Sequence, residues 1–398
     1  VALYRPGPMG YIPAYAKRKN GQEAVTFSDP RLEAITGVTH GICLTGDSLV
    51  FDAASGRRFR IDQLNEHDDV RVQGVDEELS PTHARITAWL DNGARPVYEL
   101  RLKNGATIKA TANHEFLTED GWQELRELSP GQVVATPSAL QLVREGRSLE
   151  SRERARIRLL AYLLADGSLS TASTAFYSLD DALLRDFAAA CATGFDGLRL
   201  TRHQKVRGVT QLSVVKDRQS GLSYHEPSPL ETWLRERGLR WLLKDPRAEG
   251  SNRRGPRSAE KRIPEDVFEL ADEEIARFLA AFWDCDGHVD ERTVWLKTIS
   301  RDMAVDLQTL LLRLGIRSTI HESTYEAIES GTAVERRAYQ VTPRGTQRFA
   351  ELIQLFMLTS KRKVLTLAKD SSRTVAREAA LDEVLSARRD DAARRSDA

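Results

Sequence analysis

Two groups of residues in this 398-residue chain carry side chains suited to chemistry. The first is Cys43, set in His40-Gly41-Ile42-Cys43-Leu44-Thr45-Gly46-Asp47-Ser48, with Thr111-Ala112-Asn113-His114 about seventy residues further on. A thiolate is a nucleophile, and an imidazole titrates close enough to neutrality to move a proton. Alone, a Cys is more often a small buried hydrophobe and a His after a strand a core residue. The second group is Asp166 and Asp286. Each ends an apolar run of about two helical turns, LLAYLLADGSLS from Leu159 to Ser170 and FLAAFWDCDGHVD from Phe278 to Asp290, and each is followed by Gly. A carboxylate at a helix C-terminus faces the negative end of the helix dipole, at a cost of about 0.3–1 kcal/mol. One such helix is an ordinary core helix; two in register point to a use for the carboxylates.

The elements that must position these groups differ in kind. From Cys43 to about Leu140 the pattern is all-β, with short runs at Leu49–Phe51, Ala84–Trp89 and Val97–Leu102 between turns. Asn104-Gly105 marks a hairpin, since both residues tolerate the positive φ of a tight turn. From about Gln141 to Lys369 helices and strands mix, and the chain repeats itself. After Asp166 comes Ser178-Leu179-Asp180, opening a helix from Ala182 to Ala192. After Asp286 comes Ser300-Arg301-Asp302, opening a helix from Met303 to Leu314 with Gly315 as its stop.

Composition allows two or three soluble domains, with 41% hydrophobic and 29% charged residues. Cysteines at 43, 191 and 285 give neither a disulfide framework nor a paired metal-ligand spacing, which suits a reducing compartment such as the bacterial cytoplasm. No apolar run reaches membrane length and no signal peptide is evident. Net charge is zero, which excludes a uniformly basic nucleic-acid coat. The charge is uneven, however: sixteen Lys/Arg against seven Asp/Glu between Arg199 and Arg262, and ten against sixteen between Cys43 and Leu140. The basic part could track phosphates. Within it, Arg253, Arg254, Arg257, Lys261 and Arg262 read equally well as DNA-binding residues or as a loop. Lys297, after Val294-Trp295-Leu296, reads either as a basic helper at the acidic site or as a solvent-facing strand residue.

Residues 1–42 are Pro- and Gly-rich, too few to bury a core, and resemble a stretch of the bacterial DNA polymerase III alpha subunit, notably at Tyr4-Arg5-Pro6-Gly7-Pro8-Met9 and Arg18-Lys19. The polymerase's metal-binding acids lie upstream in that family, so no polymerase activity is expected of this chain. Cys43 with Thr111-x-x-His114 resembles the amino-terminal splicing blocks of an intein. The resemblance implies a Hint-like fold, shared with hedgehog autoprocessing domains, and an N-to-S acyl shift at Ile42–Cys43. In that step His114 would protonate the leaving nitrogen and Thr111 would hold the amide. The repeated helices resemble those of LAGLIDADG homing endonucleases. That resemblance implies two helices packed together with Ala161 and Ala281 at the crossing, and Asp166 and Asp286 side by side on double-stranded DNA. It also implies Mg²⁺ held with water and phosphate. Leu164, Trp283 and Cys285 depart from the usual signature, and Asp284 keeps it.

The expected architecture is therefore multidomain: a host segment 1–42; an all-β splicing domain 43–140; an α+β LAGLIDADG endonuclease 141–370, a monomeric pseudo-dimer with repeats at about 157–255 and 272–369; and a charged tail 371–398, frayed or disordered. No terminal His-Asn is present, the last Asn being Asn252. A truncated or split element is expected, with a carboxy-terminal half acting in trans. A splicing or autocleaving module with a decayed endonuclease, or an inactive polymerase fragment, is the alternative.

Overall fold

The computed structural model describes residues 44–67, 69–76, 80–86, 89, 91, 93–223, 226–242, 253–329 and 332–359. The host segment 1–42, Cys43, Thr87, Ala88, the end of the second repeat beyond residue 359 and the tail 371–398 lie outside them. The described residues form two compact units that divide between Arg144 and Glu145.

The first unit is built from four antiparallel strand pairs. They are β1 (Leu49–Phe51) with β2 (Arg58–Arg60), β3 (Arg71–Val75) with β4 (Pro81–Arg85), β5 (Tyr98–Arg101) with β6 (Thr107–Ala110), and β7 (Glu115–Thr118) with β8 (Gly121–Glu124). Val50, Leu64, Val70 and Val72 form its small core, with Phe59, Ile61, Ala84, Ile86 and Trp89 packed against it. The run read as a strand from Ala84 to Trp89 stops as a strand at Arg85. Ile86 and Trp89 both reach one core, whereas a strand would send residues three apart to opposite faces. The Trp89 indole N–H instead donates to the Ile61 carbonyl. The Asn104-Gly105 hairpin forms between β5 and β6. Only Gly105 takes a positive φ (85°) there; Asn104 contributes its side-chain oxygen, which accepts from the Ala106 N–H at 3.0 Å.

The second unit repeats one motif twice. The first copy runs α1 (Ser151–Asp166), β9 (Gly167–Ser168), β10 (Ala175–Ser178), α2 (Asp181–Gly194), β11 (Leu198–Gln204), β12 (Thr210–Lys216) and α3 (Pro229–Glu236). The second runs α4 (Asp272–Asp286), β13 (Gly287–Val289), β14 (Val294–Thr298), α5 (Arg301–Arg313), β15 (Ser318–Glu329), β16 (Thr332–Pro343) and α6 (Thr346–Leu352). Strand order is the same in both sheets, β9-β10-β12-β11 and β13-β14-β16-β15. The helix starts fall where the capping residues put them. Asp180 accepts from the Ala182 N–H at 2.7 Å and Ser300 from the Met303 N–H at 3.1 Å. Gly315 ends α5 in the left-handed region (φ 68°). One core serves both copies, and α1 and α4 pack against each other at its centre. From Leu159 to Leu163 every side chain of α1 is fully buried, as expected of a helix covered on all sides.

Candidate functional sites

Asp166 and Asp286 are the last residues of α1 and α4. The two helices run side by side, tied near their starts by Arg154 of α1, whose Nε donates to both carboxylate oxygens of Glu274 of α4 at 2.9 and 3.0 Å. Ala161 and Ala281 are both buried, which keeps the helix contact thin. The glycines that follow the aspartates are required for space. Gly167 and Gly287 have ordinary negative φ (−94° and −78°). A Cβ on Gly167 would meet the Leu163 backbone at 2.5 Å, and one on Gly287 would meet Trp283 Cδ1 at 2.3 Å. Each glycine lets its chain turn sharply from the helix into the first strand of its sheet, leaving the aspartate at the corner.

Lys261 caps the end of α1. Its ammonium is buried and donates to the carbonyls of Leu163, Leu164 and Gly167 at 3.0, 2.9 and 2.8 Å. It thus satisfies the C-terminal carbonyls of α1, which a helix cannot pair internally. Burial pulls the Lys261 pKa down to about 8, while Asp286 and Asp166 both pull it upward. Both carboxylates therefore lie within electrostatic reach of one ammonium. The surface role as a DNA-binding residue expected for Lys261 is corrected: its three donors are already committed inside the protein. No spacing signal in the sequence distinguishes it from its basic neighbours.

The rest of that basic stretch is ordered. Trp241 N–H donates to the Arg254 carbonyl at 2.7 Å and Arg254 N–H to the Ser170 carbonyl at 3.0 Å, so the segment pairs with the chain just past β9. A Cβ on Gly255 would lie 2.4 Å from the Leu169 carbonyl oxygen. Arg253 is bound to Glu260 at 2.9 and 2.6 Å, and Arg262 to Glu265 at 3.0 Å. Arg257 and Arg262 are exposed, while Arg253 and Arg254 are half-buried. Lys297 is an exposed residue of β14, its ammonium 5.5 Å from the Trp295 ring centre.

Asp284, two residues before the end of α4, does not face the solvent. Its carboxylate is buried and accepts from the N–H groups of Leu358 and Thr359 at 2.8 and 3.1 Å and from the Thr359 hydroxyl at 2.6 Å. The corresponding place in α1 is Leu164, a core residue. Among the described residues no group of three or more His, Cys, Asp or Glu could hold a metal ion.

In the first unit, Cys43 lies outside the described residues, but the residues next to it are placed. Leu44 bridges Ala110 in antiparallel fashion, and Thr45 N–H donates to the Lys109 carbonyl at 3.2 Å. The chain leaving Cys43 therefore runs beside β6, which leads directly into Thr111–His114. That loop is held firmly. His114 N–H donates to the Thr111 carbonyl at 3.0 Å, Leu125 N–H to the His114 carbonyl at 2.7 Å and Arg126 N–H to the Ala112 carbonyl at 2.9 Å. Thr111 is buried. The His114 ring packs against Phe116, centroids 5.2 Å apart. Its Nδ1 is buried without a hydrogen-bond partner among the described residues. Burial takes its pKa down to about 4. That lies below the near-neutral value expected from the sequence.

Residues 273–354 match the LAGLIDADG-like domain, and residues 1–49 match the bacterial DNA polymerase III alpha subunit finger domain. The replicative DNA helicase DnaB of Rhodothermus marinus is 29% identical over 78% of this chain and 32% of its own length. The chain spans about a third of the length of the curated relatives it matches. Among solved structures, a DnaB intein from Synechocystis sp. PCC 6803 is 38% identical over 24% of this chain and 70% of its own, with a TM-score of 0.24. The homing endonuclease I-DmoI in complex with DNA and Ca is 11% identical over 52% of this chain and 91% of its own, with a TM-score of 0.31.

Proposed function

We propose that this chain, an intein with a LAGLIDADG-like endonuclease domain set in a DNA polymerase III alpha subunit, cuts double-stranded DNA at Asp166 and Asp286 and begins protein splicing at the Ile42–Cys43 bond. The observation that carries the endonuclease reading is the pairing of two helix ends around Lys261 in a duplicated fold. Mg²⁺ held by Asp166 and Asp286 would supply a polarised phosphate and an activated water. The chain's own part is to hold two carboxylates at one place despite their repulsion and the adverse helix dipoles. The Lys261 ammonium offsets both, and the exposed Asp286 keeps the site open to the duplex. Each Asp faces one strand of a monomeric pseudo-dimer.

For splicing, the Cys43 sulfur bonds to the Ile42 carbonyl carbon, the C–N bond breaks, and the amide nitrogen leaves as an amine. A neutral His114 first accepts the thiol proton and then delivers it to that nitrogen, so proton and electron pairs balance. Thr111, buried on the same loop, positions the amide. Completion needs a carboxy-terminal splicing segment, in cis or in trans.

The test is cleavage of a duplex carrying the uninterrupted polymerase gene across the insertion point. With Mg²⁺ the protein should cut both strands, and Asp166→Asn or Asp286→Asn should bind but not cut. Cutting by the double Asn variant would refute the site. Separately, dithiothreitol with a supplied carboxy-terminal segment should release residues 1–42, and Cys43→Ala should not.

A further inference from the structure

The main chain that carries Lys261 to the end of α1 is held by a helix of the second copy. Lys261 has an extended backbone (φ −67°, ψ 141°), and Pro264 steers Ile263 before it away from the helical region. Side chains alternate along an extended segment, so Lys261 and Ile263 are both buried while Arg262 between them is exposed. In the same geometry the Lys261 carbonyl and the Ile263 N–H point to one side, where a neighbouring strand would pair with them. Helix α5 takes that place. The Ser300 hydroxyl at its start donates to the Lys261 carbonyl at 2.6 Å, and the Asp306 carboxylate in its second turn accepts from the Ile263 N–H at 2.7 Å. Both side chains are buried.

The first copy uses the matching residues differently. Asp180 and Ser300 cap α2 and α5, and Asp186 and Asp306 are the sixth residues of those helices. Asp186 turns to its own copy: it accepts from the Tyr162 hydroxyl at 2.6 Å and from Arg158, both on α1. Counted back from the last-turn aspartates, the places of Tyr162 and Arg158 on α4 are held by Phe282 and Phe278, whose side chains have no polar hydrogen to donate. In the second copy the carboxylate serves the main chain two residues from Lys261 instead. The caps differ in the same sense. An ionised carboxylate only accepts, so it caps a helix but cannot also donate to a carbonyl. The Ser300 hydroxyl does both, accepting from the Met303 N–H at 3.1 Å while it donates to Lys261.

We infer that Ser300 and Asp306 are positioning residues for DNA cleavage that act through Lys261: from the second copy they fix the backbone that delivers its ammonium to the end of α1 in the first. This rests on the endonuclease reading above. Lysine carries its charge on a flexible four-carbon stem, so the ammonium is placed no better than the backbone it hangs from. Slack in residues 261–263 moves it off the Leu163, Leu164 and Gly167 carbonyls, and with it the charge that offsets Asp166 and Asp286. Misplacing a group at a reacting centre by ~1 Å costs on the order of a hundredfold in rate. The clamp crosses between the copies, so a change in α5 reaches the carboxylate at the end of α1.

The test measures single-turnover cleavage of the uninterrupted-gene duplex with the full chain in excess. Alongside it are measured duplex affinity with Ca²⁺ in place of Mg²⁺ and the ¹⁵N-edited signals of the lysine ammonium groups. A buried, hydrogen-bonded ammonium exchanges slowly with water, so Lys261 should give a sharp signal that is missing in Lys261→Met. Asp306→Ala should slow cleavage about tenfold or more with little change in affinity, and should broaden or remove that signal. Asp306→Asn, whose amide oxygen still accepts, should recover most of the rate and the signal. Ser300→Asp keeps the helix cap, as Asp180 does, but loses the donor and should behave as Asp306→Ala; Ser300→Thr keeps both contacts and should recover. Should Asp306→Ala not fold, the two Ser300 variants decide. Cleavage at the parent's rate in Asp306→Ala and Ser300→Asp, no recovery in Asp306→Asn and Ser300→Thr, or equal losses in affinity and rate would overturn the inference while leaving the endonuclease reading intact. A parent that cuts no such duplex would overturn that reading and this role with it, whereas the Lys261 signal reports on the clamp in either case.

Discussion

The protonation of His114 gives a sharp prediction for the splicing unit. Its ring is mostly buried against Phe116, and burial lowers its pKa from 6.5 to about 4. The folded state therefore binds the proton more weakly than the unfolded chain. The resulting stability is fully present above pH 6.5 and is lost as pH falls through 4. At ~1.36 kcal/mol per pH unit, the drop corresponds to at most about 3 kcal/mol, less whatever solvent reaches the ring. A lowered pKa keeps the ring uncharged at pH 7, which favours the proton-accepting role proposed for His114 in the acyl shift. Two measurements follow on the full chain. The ¹⁵N shifts of labelled imidazole should place one histidine near pH 4, missing in His114→Gln. Urea unfolding of the first unit should lose about 2–3 kcal/mol between pH 7 and pH 4 in the parent, and markedly less in His114→Gln. A His114 titrating near 6.5, or identical pH dependence in the two proteins, would refute the burial argument and restore the imidazolium as the first proton donor.

Other substitutions probe the second unit. Lys261→Met strands three buried carbonyls and leaves the paired carboxylates unbalanced; cleavage should be lost and thermal stability should fall, with Lys261→Arg failing to rescue because a guanidinium does not fit the carbonyl ring. Asp284→Ala removes the acceptor for three donors of Leu358 and Thr359, a loss of about 3 kcal/mol readable by urea unfolding. Gly287→Ala drives a methyl into Trp283 and should cost about 1–3 kcal/mol, though φ there is ordinary for any residue. A Gly315→Ala change should cost about 1 kcal/mol through its positive φ, and its Cβ would also press on the Arg348 guanidinium at 3.1 Å.

Much of this arrangement was legible in local chemistry. The capping residues Asp180 and Ser300, the stop at Gly315 and the Asp-Gly corners define helix ends by short-range hydrogen bonding and backbone sterics, and such signals survive in any context. The repeated apolar runs ending in Asp-Gly marked α1 and α4 as helices, and their packing against each other was what the family resemblance implied. Tertiary partners left no such trace. Lys261 lies ninety-five residues from Asp166 and twenty-five from Asp286 in sequence, and its position among basic residues hides the fact that its ammonium points inward. Asp284 looked like the companion of Asp286, yet one turn position separates a solvent-facing carboxylate from one that clamps Leu358 and Thr359. The burial of His114 likewise follows from what packs on it, which neither Thr111 nor the intervening spacing encodes.

The two aspartates occupy matching places but stand on different supports. At the end of α1, the Lys261 ammonium takes the last-turn carbonyls, within electrostatic reach of both Asp286 and Asp166. At the end of α4, a second carboxylate, Asp284, is buried one half-turn back and draws three donors toward itself. A duplicated fold in one chain permits this, because each copy can change without changing the other, which an identical two-chain dimer cannot do. The same freedom explains why β11 and β12 have seven residues each and their counterparts β15 and β16 twelve. Asymmetry in the supports and in the hairpins is thus of one kind. The two last-turn carboxylates keep matching places in both copies while the groups around them differ.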